Sequence, residues 1–146
     1  MIARPFVPVV ILWLAASAWP QTADLAAKAA KEPGAQVTPS GLVFRSLKDG
    51  NGASPQATDK VRVHYRGTFA DGKEFDSSYS RGQPAEFPLD RVIKCWTEGV
   101  QRIKVGGKAK LTCPPAIAYG ERGAGGVIPP GATLQFEVEL LGIVGR

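Results

Sequence analysis

Histidine is almost missing from this chain: His64 is the only one in 146 residues. No carboxylate cluster stands at ligand spacing with it, so the sequence offers no zinc-type metal centre. Arg62 and Arg66 flank His64 on its own strand face, and it reads as an exposed strand residue rather than a catalytic base. There is no G-x-S-x-G motif, and neither of the two cysteines has a His–acid system around it, which argues against serine- and cysteine-type hydrolases. No C-x-x-C redox pair is present. The glycine-rich stretch at 120–131 lacks the G-K-[ST] ending of a phosphate cradle and leads into a strand, not a helix. Runs of five like charges are absent, as are stacking-aromatic motifs. The net charge of +5 therefore describes a solvated surface and implies no nucleic-acid partner. Nothing repeats with a period of 20–50 residues.

Glycine and proline, in contrast, are plentiful, at 17 and 12 residues, which favours turns and short strands over long helices. Hydrophobic residues make up 44% and charged residues 21%, enough for one packed domain. The N-terminus reads as a targeting segment. Arg4 supplies a positive charge, Phe6 to Ala16 is almost wholly apolar, and Ala16-Ser17-Ala18 fits a small-x-small cleavage site. The apolar run is short of the roughly 20 residues a spanning helix needs. Residues 1–18 are thus assigned as a signal peptide, with a retained anchor as the competing reading, and no stable membrane insertion is expected after cleavage. Residues 19–37 form a flexible or partly helical arm (Ala23 to Lys31) in which nothing demands burial, and 38–146 form the domain. A bacterial periplasm, or another extracytoplasmic space, is the expected location. Cys95 and Cys113 can be two buried thiols or one disulfide; export permits the bond and favours it. Closing that loop would add roughly 3 kcal/mol.

Hydrophobic spacing then divides the domain. Leu42, Phe44 and Leu47 mark a first strand, closed by Asp49-Gly50-Asn51-Gly52. Val61, Val63 and Tyr65 alternate with Arg62, His64 and Arg66, the period of a half-buried strand. Asp71-Gly72 makes a hairpin turn, and 77–91 reads as an irregular excursion around Phe87. Val92, Ile93, Trp96, Val100 and Ile103 recur at helical spacing, which predicts one amphipathic helix at about 97–103 despite Gly99. Ala109, Leu111 and Cys113 alternate as a strand stopped by Pro114-Pro115. Five glycines and two prolines make 120–131 a loop, and Leu134, Phe136, Val138 and Leu140 form the last strand. The fold class is α+β: a twisted antiparallel sheet with one short helix across one face.

What chemistry remains lies in aromatic and branched residues near element ends: Tyr65, Phe75, Phe87, Trp96, Tyr119, Val127, Ile128 and Phe136. All of them can be plain core. Yet Tyr119 and Val127-Ile128 sit in Gly/Pro-rich surroundings that belong at a surface, and an apolar cleft with few polar groups is the usual form of a small-ligand site.

Five ordered blocks carry a resemblance. They are Val63-His64-Tyr65-Arg66-Gly67; Asp71 through Ser78; Val92-Ile93-Lys94-Cys95-Trp96-Thr97-Glu98-Gly99-Val100; Ala118-Tyr119-Gly120; and Val127-Ile128-Pro129-Pro130-Gly131 through Phe136, leading into Val138-Glu139-Leu140-Leu141. In these the chain resembles the FKBP family of peptidyl-prolyl isomerases, from about Gly41 to Gly142. The resemblance implies a five- or six-stranded antiparallel sheet wrapped around a short helix, with a pocket between them. It implies X-Pro isomerisation in exported proteins without a cofactor, proline-containing unfolded polypeptides as partners, and macrolides as inhibitors. Family pocket positions fall on Tyr65, Phe75, Asp76, Arg81, Phe87, Val92, Ile93, Trp96, Tyr119, Val127, Ile128 and Phe136. Of these, Asp76, Phe75, Tyr119, Tyr65, Phe136 and Trp96 would carry catalysis, with Trp96 as floor and the Ile93 N–H and Tyr119 hydroxyl as donors. Ala85 and Ala124 depart from the family pattern, which bears on substrate preference. Cys95 and Cys113 stand where many relatives have Gly and an aliphatic residue, a paired difference in line with a bond between them. A binding module with negligible turnover, or a structural domain without a pocket, are the competing readings.

Overall fold

Alternation of apolar and charged side chains along Lys60–Thr68 builds a long strand, β3, with Val61, Val63 and Tyr65 buried and Arg62 and Arg66 exposed. The computed structural model describes residues 20–145, and the signal-peptide assignment at 1–18 lies outside them. Along the chain run α1 (Pro20–Ala30), β1 (Gln36–Val37), β2 (Val43–Lys48), β3, β4 (Glu74–Ser77), α2 (Ser78–Arg81) and β5 (Ala85–Pro88). A 3-10 turn (Leu89–Arg91), α3 (Lys94–Val100), β6 (Lys108–Cys113), a second 3-10 turn (Pro115–Ile117) and β7 (Leu134–Ile143) complete it. The strands make one sheet in the order β1-β2-β6-β7-β3-β4, every pair antiparallel. β5 also pairs with β3, so β4 and β5 share the last of six positions across the sheet.

That shared edge has a gap. β4 pairs with Arg66 to Thr68 and β5 with Lys60 to Val63, which leaves His64 and Tyr65 between them. Ser78, fully buried, closes the gap: its Oγ accepts the Tyr65 N–H at 2.8 Å and lies 2.8 Å from His64 Nδ1. A buried backbone donor on the outer side of β3 is thus satisfied by a side chain instead of a strand. His64 is half-buried rather than exposed, because its ring also stacks on Tyr79 at 4.6 Å.

Helix α3 crosses the buried face. Cys95 and Gly99 lie one turn apart on the same side of α3, and Leu111 and Cys113 share one face of β6. Cys95 and Cys113 are joined by a disulfide with their Cα atoms 5.8 Å apart. A Cβ on Gly99 would stand 2.8 Å from Leu111 Cδ2, so glycine there lets helix and strand come together. The helix begins three residues earlier than hydrophobic spacing predicts. Residues 101–103 instead close in i→i−3 bonds, Arg102 N–H to Gly99 and Ile103 N–H to Val100.

Three other stretches differ from their sequence reading. Leu47 is exposed, since Val43 and Phe44 are both buried and the β2 register shifts between Ser46 and Lys48. Residues 77–91 are ordered as α2, β5 and a 3-10 turn, too short for a periodic signal. The arm residues include α1, which begins at Pro20, and Ala29 is buried. Glu32, just beyond α1, bonds Lys110 on β6 at 3.2 Å and reaches Arg45 on β2 at 3.8 Å.

The disulfide closes a separation of 18 residues, which by chain entropy stabilises the fold by roughly 3 kcal/mol. Denaturant melts of Cys95→Ala/Cys113→Ala against the oxidised protein should lose about that much; equal midpoints would show that the bond adds nothing.

Candidate functional site

Between α3 and the curved inner face of the sheet lies a cavity of about 460 Å³ that opens to solvent. Its floor is Trp96 in the first turn of α3, and three rings stand edge-on to the indole. Tyr65 is 5.2 Å away at 83°, Phe87 5.4 Å at 85° and Phe136 5.4 Å at 89°. Phe75 extends the wall, 5.6 Å from Phe136. Each such pair adds about 0.5–1.5 kcal/mol beyond its area burial and fixes ring orientation. Gly67 makes the wall possible: a Cβ there would lie 2.6 Å from Phe75 Cζ and 2.9 Å from Phe136 Cε1. Trp96 Nε1 is buried without a hydrogen-bond partner among the described residues, so the floor presents no accessible donor.

Polar groups are few, and three of them form a bonded cluster at one side. The Tyr65 hydroxyl donates to Asp76 Oδ2 at 2.6 Å, Arg81 Nη1 donates to Asp76 Oδ1 at 2.7 Å, and Arg81 Nη2 donates to the Tyr65 hydroxyl oxygen at 2.9 Å. Both Asp76 oxygens are thereby occupied. Desolvation pushes the Asp76 carboxyl up, but the hydrogen bonds from Tyr65 and Arg81 and the Arg81 charge outweigh it and hold the group below its ordinary value. Burial, then the bond to Asp76, raise the Tyr65 hydroxyl. Position in the chain explains the triad: Ser77 caps α2 by accepting the Ser80 N–H, and the four-residue helix returns Arg81 over β4.

Val92, Ile93 and Tyr119 complete the rim. Ile93 is the N-cap of α3, and its carbonyl accepts from Trp96 and Thr97. Its own N–H falls among the donors a helix start leaves without an intrahelical partner. Tyr119 is 40% exposed on the loop before β7.

Nine of the twelve residues that the resemblance nominates line this cavity: Tyr65, Phe75, Asp76, Phe87, Val92, Ile93, Trp96, Tyr119 and Phe136. Three do not. Arg81 acts from behind, through Asp76 and Tyr65. Ile128 is 6% exposed within the hydrophobic core, tied by a bridge to Ala124, and Val127 next to it is 56% exposed on the loop surface. One lining residue was not anticipated, Arg91 in the turn before Val92. Only its place two residues ahead of Ile93 hinted at it.

The model of the FKBP-type peptidyl-prolyl cis-trans isomerase family matches residues 52–141. The chain belongs to this family. An FKBP-type 22 kDa peptidyl-prolyl cis-trans isomerase of Escherichia coli is 56% identical over 115 residues, 79% of this chain and 56% of that protein. The FKBP-type isomerase FkpA of the same organism is 53% identical over 116 residues, 80% of this chain and 43% of FkpA. The chain thus spans about half the length of the curated relatives it matches. A crystal structure of a peptidyl-prolyl cis-trans isomerase from Pseudomonas syringae superposes with a TM-score of 0.80 at 34% identity and covers 98% of both chains. The antiparallel sheet and short helices described above match that fold.

Two expectations follow from the polar side of this cavity. Ser78→Ala leaves the Tyr65 N–H buried and unpaired, and urea unfolding should show a loss of about 1–3 kcal/mol. Unchanged stability would mean that water replaces the hydroxyl. Asp76 holds its proton less tightly when folded than when unfolded, so its contribution to stability is present above the ordinary Asp value near ~3.9 and is lost as pH falls below it. The stability difference between wild type and Asp76→Asn should therefore be constant from about pH 8 to 5 and shrink between about pH 4 and 2. A difference that grows on acidification would contradict the assignment.

Proposed function

We propose that this protein accelerates cis–trans isomerisation of X-Pro bonds in exported polypeptides during folding. The observation that carries the reading is the aromatic cavity over Trp96, large enough for a proline ring and open on one side. An X-Pro amide rotates over a barrier of about 18–20 kcal/mol, and uncatalysed exchange takes roughly tens to hundreds of seconds. No bond is made or broken, so the reaction needs neither nucleophile nor cofactor. What it needs is tighter binding of the twisted amide than of either planar isomer. Planarity comes from resonance that puts negative charge on oxygen and positive charge on nitrogen. Apolar walls disfavour that charge-separated form, and each roughly 1.4 kcal/mol gained is tenfold in rate.

In this mechanism the proline ring lies on Trp96 between Phe75, Tyr65 and Phe136. The Ile93 N–H and the Tyr119 hydroxyl hold the carbonyls on either side. Asp76, neutralised by Arg81 and Tyr65, keeps the polar wall fixed without leaving a bare charge beside the imide. Val127 and Ile128, with their loop, act on longer ligands and on loop position rather than on the ring. Macrolides would compete for the same cavity. The signal-like segment at 1–18 and the disulfide, which is stable in an oxidising compartment, support a periplasmic or other extracytoplasmic site of action.

A proline-peptide exchange assay with and without a macrolide tests the reading. Wild type should accelerate exchange and be inhibited, and Phe75→Ala/Asp76→Asn should lower kcat/KM by about tenfold or more, equivalent to at least about 1.4 kcal/mol of transition-state binding. Exchange at the uncatalysed rate with wild type would make the domain a binding module. Wild-type rates in the double variant would move the active site elsewhere.

A further inference from the structure

Among the described residues, only two of those that line the cavity have a formally charged side chain, Asp76 and Arg91. Asp76 is already compensated: Arg81 is 2.7 Å away and the Tyr65 hydroxyl 2.6 Å. Arg91 is exposed, and no ion pair is found for it among the described residues. Asp90, the nearest opposite charge in sequence, does not line the cavity, and neither do Lys94, Glu121 and Arg122. The lining thus includes one arginine without an ion-pair partner among the described residues, two positions before Ile93 in the chain.

We propose that Arg91 is a specificity-determining residue that selects polypeptides with Asp or Glu within two positions of the isomerised proline. The inference rests on the isomerase reading and adds a substrate class to it. Extended chain advances about 3.3 Å per residue, so an arginine beside the anchor point of the X-Pro carbonyl reaches side chains one or two positions away. Guanidinium also matches a carboxylate in two parallel hydrogen bonds, which a lysine ammonium does not. The cavity offers a lysine-bearing substrate no free carboxylate, because both Asp76 oxygens already accept hydrogen bonds. Selection is thus one-sided: acidic neighbours gain, neutral ones bind through the aromatic floor alone, and basic ones meet a like charge.

The test is kcat/KM for proline peptides carrying Glu, Gln or Lys at each position within two of the proline, at low and at about 0.5 M salt. At low salt wild type should favour Glu over Gln by about three- to tenfold at one or more positions and disfavour Lys, and salt should compress both ratios. Arg91→Gln should bring the Glu/Gln ratio to about one, Arg91→Glu should invert it, and Arg91→Lys should restore part of it. Lys94→Gln, an exposed cation outside the lining, should leave the ratio as in wild type. Equal Glu and Gln rates at every position, or a preference that survives in Arg91→Gln, would overturn the role of Arg91. Failure to accelerate even the Gln peptides would instead overturn the isomerase reading on which it rests.

Discussion

The indole of Trp96 stands perpendicular to three other rings, and the rest of the domain serves to keep it there. Tyr65 and Phe136 come from the neighbouring strands β3 and β7, Phe87 from the edge strand and Trp96 from the helix. A shift of the helix by one ångström would disturb all three contacts together. Cys95, next to Trp96, is therefore well placed for a covalent tie, and Gly99 one turn later lets the helix settle onto Leu111. The cavity floor is thus fixed by the same face of α3 that packs on β6. Stability and site geometry are coupled at this point.

Apolarity is the second constraint, and it is kept by neutralising the one carboxylate in the wall rather than by excluding it. A bare Asp76 would draw water into the cavity and favour the charge-separated amide that the proposed mechanism must disfavour. With Arg81 and Tyr65 on its two oxygens, its charge is spent inside the protein. The arrangement costs side-chain freedom at an exposed rim, where an isolated ion pair adds little. Its value lies in holding Tyr65, whose ring is part of the wall.

How much was legible follows from how local each signal is. β3 and β7 were readable because one face of each is buried over nine and ten residues, long enough for period two to emerge. The aromatic wall was readable because the family blocks carry it in order. β5, with four residues and a proline, has no period to read, and the docking beyond α1 depends on Glu32 finding Arg45 and the far more distant Lys110. Ile128 and Val127 illustrate a different limit. Adjacent residues of one motif were assigned the same role, yet the turn formed by the Ala124 bridge sends one into the core and leaves the other in solvent. Arg91 escaped because charge on a short turn is ordinarily surface, and only the fold makes that turn a rim.

The gap between β4 and β5 ties these features together. An uninterrupted strand along the outer edge of β3 would satisfy Tyr65 N–H by pairing and would carry the chain straight past the cavity. Instead the chain leaves the sheet after Ser77, turns through α2 and returns at Ala85. The detour lets Asp76 and Arg81 meet at the mouth, and the return delivers Phe87 to the wall and Arg91 to the rim. The Tyr65 N–H and C=O, both turned from a neighbouring strand to the Ser78 hydroxyl, are what the sheet gives up for this. The opening of the cavity and the polar groups around it are therefore consequences of a single break in strand pairing.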